Sequence, residues 1–579
     1  MLQTLAIDSW LLLVVLWGAG FALQFVIFAP ISIWPAAYVC LVPWILVVGC
    51  CSSARRVYVA SYLLGLAFFL ARLTWIYPIT VEGYVALTAY LAVYYPLMAC
   101  PIRHAVRRRS MPLVLAVPVI WVGGEYMRAL VIDGFPWFFL AHSQHRLLSV
   151  IQISDLVGAY GVSFLVAMIN GAIADALLAR LRNRGRPAAA GGRRYARGSL
   201  AAAAVCLLAT LVYGQVQLRR DTSSPGPRIA VIQGNYPHPL RPIGPDVSSR
   251  TKADRYFKLI QDAATLRPDL FLLPETPWGM VLNRTFLQAD PAGHPDVVWS
   301  RECYDRLQGF ATKNDAVLVT GAMSRELTPL NRLAEEWNFN SAFVLRPDGS
   351  PPDRYDKVHT VYFGETVPFR FGRFRFLYVW FNSLSPFGEG RFEYSLTPGR
   401  EFKVFEMATR SQNGRRYRFG IPICYEDVMP YIGRRFAIGP DGRKRVDFLL
   451  NISNDGWFLH SGELPQHLAI CAFRAVENRV GIARAVNTGI SGFIDADGRI
   501  HDLVADGAGR VCGPDIDGWR VASIDVDSRC SLYSRTGDVF ARLCLLLWGA
   551  VYVDYLIVRI RGNRADRKRT LDGSESACA

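Results

Sequence analysis

Three polar side chains each stand where an apolar run stops or a turn begins, and their types suit nucleophilic attack on a carbonyl. Glu275 closes the run Leu-Phe-Leu-Leu-Pro-Glu. Lys357 lies in Arg354-Tyr-Asp-Lys-Val-His359, and Cys424 ends Phe-Gly-Ile-Pro-Ile-Cys just ahead of Tyr425-Glu426-Asp427. A thiol at its ordinary pKa of about 8.5 is mostly protonated at neutral pH, so it needs a base or a cation nearby. Glu275 can accept the thiol proton, and Lys357 can stabilise both a thiolate and the oxyanion that forms during attack. Each also has an ordinary structural use: a small buried hydrophobe, a turn residue or a solvated face. Cys303, Cys471, Cys512 and Cys530 are rival thiols, and in an oxidising compartment some of them would pair.

These residues are far apart in the chain, so a fold must gather them. From Arg228 onward, short β-rich runs alternate with turn signals. They are Arg228–Asn235, Asp269–Glu275, Ala316–Met323, Asn340–Gly349, Arg418–Glu426, Val446–Asp455, Gly481–Asn487 and Arg520–Val526. Residues 251–266 and 465–479 have helical periodicity, with Leu468, Cys471, Ala472 and Ala475 on one face. Strands alternating with helices predict a layered α/β domain whose sheets are covered by helices.

The rest of the chain is of a different kind. The 579 residues are 51% hydrophobic and only 19% charged, which argues against a purely soluble enzyme. Apolar stretches near 10–28, 33–51, 57–77, 84–101, 112–132, 150–178 and 198–217 precede the polar interval, and one near 538–558 follows it. Each approaches the roughly 20 residues needed to cross a hydrocarbon core, so eight spans are expected. The first lacks the charged start and small-residue cleavage site of a removable leader.

Charge alternates between the connecting segments. Arg55 and Arg56, then Arg103 with Arg107–Arg109, then the seven Arg between 180 and 197, and finally the basic tail from Arg559 all fall on one side. The opposite loops hold little beyond Arg146. The positive-inside rule places both termini in the cytoplasm and the 218–537 segment outside, on the periplasmic face of a bacterial inner membrane. This pattern explains the net charge of +16 without nucleic acid. At membrane depth, Glu125 and Arg128 share a helical face, where they can pair; with Arg72 and Asp155 they are ionisable groups that suit either a functional role or a buried helix-packing ion pair.

Read in order, Leu-Pro-Glu275, Tyr-Asp-Lys357, Phe-Gly-Glu365, Ile-Cys-Tyr-Glu426 and Asn-Asp-Gly-Trp457 resemble the nitrilase, or carbon–nitrogen hydrolase, superfamily and its Glu-Lys-Cys triad. With seven spans before the domain and one after, the chain is similar to the apolipoprotein N-acyltransferase family. Glu125-Tyr-Met-Arg128, Gly134-Phe-Pro-Trp137, Ser143-Gln144, the run Asp155–Phe164, Gln233-Gly-Asn235, Gln466-His467 and Asn487-Thr-Gly-Ile490 extend the likeness over nearly the whole chain. Two departures stand out. Residues 236–250 contain no Trp where the family often has one, and 358–363 read Val-His-Thr-Val-Tyr-Phe in place of a Leu-Val-Pro-Phe-like run.

The resemblance implies a nitrilase-like αββα sandwich over 219–535, inserted between a seven-helix membrane domain (1–218) and a last span with a basic tail (536–579). It implies that Glu275 is the general base, Lys357 the oxyanion-stabilising residue and Cys424 the nucleophile, supported by Glu365, Tyr425 and Glu426. It further implies ping-pong transfer of an acyl chain from a membrane glycerophospholipid, through a cysteine thioester, to the α-amino group of a diacylglyceryl-cysteine on an apolipoprotein. Neither cofactor nor metal is expected. Apolar residues between Phe369 and Phe381, with Arg370, Arg373 and Arg375 interleaved, suit either a lipid-touching arm or core packing. Two other readings are a membrane-anchored amidase or nitrilase with a soluble substrate, and a transporter or sensor whose outer domain only binds ligand.

Overall fold

The computed structural model describes residues 9–109, 111–182, 190–236, 248–292, 294, 296–326, 337–369, 373–383, 395–459, 461–506, 509 and 516–575. Strands β1 (Ser223–Gln233), β2 (Leu270–Leu272), β3 (Val317–Glu326), β4 (Trp337–Leu345) and β5 (Asp353–Asp356) pair in sequence order. β6 (Phe405–Ala408), β7 (Arg416–Gly420), β8 (Phe448–Ser453), β9 (Gly481–Val486), β10 (Gly492–Ile494) and β11 (Ile500–His501) form a second sheet, also in sequence order. β12 (Gly518–Asp527) returns to the first sheet, antiparallel to β1. The centre of each sheet is parallel, β1–β2–β3 in one and β7–β8–β9 in the other, and the edges are antiparallel.

Alternation along the strands explains the layering. Ile229 and Val231 of β1 face a core shared with Phe419, Phe448, Leu450, Ile452 and Ile482 of the second sheet. Ala230 and Ile232, their neighbours, face Tyr256, Leu259 and Ile260 of helix Ser249–Ala264 and Leu307 and Phe310 of helix Asp296–Asn314. The second sheet is covered by helices Pro430–Ala437 and Glu463–Asn478. The predicted stripe Leu468, Cys471, Ala472 and Ala475 lies in that core. The result is helix, sheet, sheet, helix.

Five described helices are long and apolar enough to cross a membrane: 54–72, 81–109, 159–181, 194–218 and 539–561. The predicted first, second and fifth spans are shorter, as Trp10–Val26, residues 34–50 and Leu113–Arg128.

Polar groups inside the helical part turn out to be struts. Glu125 and Arg128 do not pair with each other. Glu125 Oε1 accepts from Trp121 Nε1 and from the backbone of Leu140, both at 2.8 Å, while Arg128 donates to the carbonyl of Trp137 at 2.7 Å. Both therefore hold the 134–140 loop. Asp155 meets Arg479 at 2.6 Å and Tyr213 at 2.8 Å, joining a membrane helix to the α/β domain. Arg72 donates to the carbonyl of Ala29, which also accepts from Gln466 at 3.1 Å. Val428 and Ile470 of the α/β domain share a core with Trp75, Trp137 and Phe138.

Candidate active site

Residues that follow β2, β5 and β7 converge with one from within β4. β2 stops at Leu272 and delivers Glu275 three residues later. Gly321 of β3 makes room: a Cβ there would lie 2.6 Å from the Thr276 nitrogen and 2.7 Å from the Glu275 Cα. β4 contributes Asn340, and the residue after β5 is Lys357, tied to it by Lys357 N–H donating to the Asn340 carbonyl at 2.9 Å. On the second sheet β7 ends at Gly420 before Pro422. Cys424 then opens a short 3₁₀ turn, Cys424–Asp427.

The side chains meet out of contact with bulk solvent. Lys357 Nζ lies 2.8 Å from Glu365 and 3.9 Å from Glu275 Oε1, with Lys357 1% and Glu275 5% exposed. Asn340 Nδ2 bridges the two carboxylates, donating to Glu275 Oε1 at 2.6 Å and to Glu365 Oε1 at 3.0 Å. Glu275 Oε2 is buried without a hydrogen-bond partner, an acceptor with capacity for a proton. Glu365 Oε2 also accepts from the backbone of Val361 at 2.9 Å, which fixes the turn after Lys357.

Cys424 is half-buried and has φ of +50°, a left-handed conformation that costs a non-glycine residue of the order of 1 kcal/mol. The turn that imposes it is held by Glu426. This carboxylate accepts from the backbones of Ile423 (2.8 Å), Val358 (2.7 Å) and His359 (3.1 Å) and from the Tyr355 hydroxyl (2.8 Å). Glu426 thereby locks the cysteine turn to the lysine loop. Tyr425 reaches the other way: its hydroxyl donates to the Gly134 carbonyl at 3.1 Å and its ring stacks on Trp137 at 6.3 Å.

Burial sets the protonation pattern. It raises the Cys424 thiol well above its ordinary value; the charge of Glu275 adds to that, and the Lys357 ammonium opposes it. Burial also raises Glu275, against the pull of Lys357. Burial alone would lower Lys357, but Glu365, Cys424 and Glu275 outweigh it and keep the amine protonated. The resting arrangement is a protonated thiol beside a persistent cation.

A second cluster lies behind the turn. Asp455, Glu463 and His467 are buried, with atoms able to ligate a metal within 4.8 Å of one another. Two protein cations stand in it. Arg484 meets Asp455 at 3.0 Å and Asp427 at 2.5 Å, and His467 Nε2 meets Asp427 at 2.6 Å. Burial would lower His467, yet Asp427 beside it holds the imidazole well above its ordinary value. Both oxygens of Glu463 are buried in this cluster without a hydrogen-bond partner.

Asn340, Gly321 and Arg484 escape sequence reasoning. The one available signal is a polar residue at the head of an apolar strand in Asn340-Ser-Ala-Phe-Val-Leu345. Cys303 and Cys471 are buried free thiols and Cys530 an exposed one; Cys512 lies outside the described residues. The Trp-less stretch is described only at 236 and 248–250, and Arg370 and Phe371 also lie outside.

The chain matches the family models Apolipoprotein N-acyltransferase N-terminal domain over residues 19–172 and Carbon-nitrogen hydrolase over residues 228–523. It is 31% identical to the apolipoprotein N-acyltransferase of Geobacter metallireducens, over 95% of each chain. Against the protein of that name from Chlorobaculum tepidum it is 26% identical, over 92% of this chain and 94% of the other. Against the one from Rhodopirellula baltica the figures are 27%, 92% and 95%. Length-spanning identity at that level, together with matches on both sides of the membrane–domain junction, assigns the chain to the apolipoprotein N-acyltransferase family.

Proposed function

We propose that the protein moves an acyl chain from a membrane glycerophospholipid to the α-amino group of the diacylglyceryl-cysteine at an apolipoprotein N-terminus, by way of a thioester on Cys424. Glu275 takes the thiol proton as sulfur attacks the ester carbonyl, and the Lys357 ammonium stabilises the oxyanion. Collapse breaks the ester C–O bond; the leaving alkoxide takes the proton from Glu275 and departs as a lysophospholipid. In the second half the acceptor amine attacks the thioester, Glu275 accepts the amine proton, and the C–S bond breaks. The thiolate then regains that proton, and ping-pong kinetics follow. Glu365 and Asn340 hold Lys357 and Glu275 in place, and Glu426 fixes the cysteine turn.

The observation that carries this reading is the gathering of Glu275, Lys357 and Glu365 within 3.9 Å, facing a strained, half-buried Cys424. An exposed aromatic segment supports a lipid donor over a soluble amide or nitrile. Phe369, Phe374, Phe376 and Trp380 are 42–66% exposed, and the Tyr425 side chain is anchored to the 134–137 loop of the membrane domain. Both substrates keep their chains in the bilayer, at about 0.8 kcal/mol per buried methylene, so the reaction belongs at the headgroup level. We assign eight spans, cytoplasmic termini and a periplasmic site to a bacterial inner membrane on the charge alternation.

The test is mass spectrometry of the intact protein after incubation with phospholipid. A hydroxylamine-labile acyl adduct mapping to Cys424 is expected; an unmodified Cys424 under conditions of turnover overturns the proposal.

A further inference from the structure

Two near-parallel rings flank Tyr425, the residue after the nucleophile: Trp137 at 6.3 Å and 9°, and His359 at 5.8 Å and 22°. His359 is itself pinned. Its Nδ1 lies 2.9 Å from the Tyr431 hydroxyl, and its backbone N–H donates to Glu426. Burial, aided by the Lys357 charge, pushes the imidazole down to about 4, so the ring is neutral. With the Tyr431 hydroxyl as donor to Nδ1, the ring proton sits on Nε2.

That Nε2 is buried and has no hydrogen-bond partner. It points at Asp133 Oδ2, 3.7 Å away, about 0.7 Å beyond an ordinary N–H···O separation. Asp133 belongs to the membrane-side loop in which Ile132, Asp133 and Gly134 all have positive φ (52°, 68° and 83°). The same carboxylate accepts from the Tyr362 backbone at 3.3 Å, and the next residue accepts the Tyr425 hydroxyl. One short loop thus touches both the cysteine turn and the 358–365 segment carrying Glu365.

We propose that His359 and Asp133 form a latch that closes in the acylating state, when Nε2–H donates to Oδ2 and draws the membrane-side loop against the lysine loop. Closure holds Tyr425, and with it the Cys424 backbone, in the attacking position. Both are positioning residues, since neither touches the reacting atoms. The inference rests on Cys424 being the nucleophile.

A double-mutant cycle on the full chain in phospholipid-containing micelles tests it, with the rate of Cys424 acyl-adduct formation and the thermal midpoint read in parallel. Asp133→Gly keeps the positive φ and removes the carboxylate; His359→Phe keeps the stacking ring and removes the donor. Each single change is expected to slow acylation about tenfold, and the pair together also about tenfold, while their effects on the midpoint add. His359→Gln, which retains a donor, should recover most of the rate. Single effects that multiply to about a hundredfold in the pair, singles that leave the rate unchanged, or a Gln variant as slow as Phe each overturn the latch. A wild-type chain that forms no adduct removes the nucleophile assignment, and the latch with it.

Discussion

The cluster around Lys357 and the cluster around Arg484 use the same materials: carboxylates, a cation and a neighbouring amide, all withdrawn from water. Arg484 directs its two terminal nitrogens at Asp427, Asn451 and Asp455, and His467 adds a second cation against Asp427. Lys357 has one close partner, Glu365, and a looser one in Glu275, whose Oε2 is unpartnered. Both clusters shift the titration of their members, so perturbed protonation alone does not mark a reactive centre. What separates them is the setting. The first faces a half-buried thiol on a left-handed turn, and in the second Asp427, Asp455, Glu463, His467 and Arg484 are all buried.

Breaking each cluster should therefore fail differently. Replacing Cys424 with Ala is expected to reduce acyl transfer by at least about 10³-fold with little change in melting, measured by lipoprotein N-acylation and by differential scanning fluorimetry in detergent. Lys357→Met should slow adduct formation by roughly 10²–10³-fold, because the developing oxyanion loses its cation. Arg484→Met should instead cost about 3–5 kcal/mol of stability, since it leaves the buried Asp427 and Asp455 with His467 as their one shared cation. Denaturant titration checks this, and a stable but inactive variant would merge the two clusters into one catalytic unit.

Gly321→Ala sharpens the comparison at the backbone. Its Cβ would press on the main chain of Thr276 and Glu275, so a loss of about 1–3 kcal/mol is expected, with slower acylation as the carboxylate is displaced. The smallest effect lies in a pH slope. Burial raises Glu463 to about 7 in the folded state, from an ordinary 4.5. The native protein then holds a proton that the unfolded chain gives up, and stability present below 4.5 is lost as pH rises through about 7. Glu463→Gln should flatten the melting temperature across that window.

Much of this architecture is legible in the amino-acid order because it is written in local periodicity. The runs that became β1, β3, β4, β8, β9 and β12 are continuous enough to read directly, and the four-residue stripe on Glu463–Asn478 faces the core it predicts. β5, β6, β10 and β11 are short, with two to four residues each, and owe their pairing to partners distant in sequence. The same holds for the site. Glu275 and Cys424 stand at the ends of apolar runs, but the ordered set of family motifs, not position alone, is what picks out Glu275, Lys357 and Cys424; Asn340 and Gly321 matter only because other strands pass beside them. Glu125 and Arg128 show the converse: helical spacing permits a contact between them, but the loop 134–140 competes for both groups and wins.

Arg479, fully buried and left-handed at φ 51°, joins Asp155 of the helical part to Asp497 of the sandwich. A guanidinium sealed at such a junction makes the catalytic portion a fixed jig instead of a pendulum on a tether. On the proposed reading, searching is left to the substrates, which must arrive by lateral diffusion with their reactive atoms at one set height above the acyl chains.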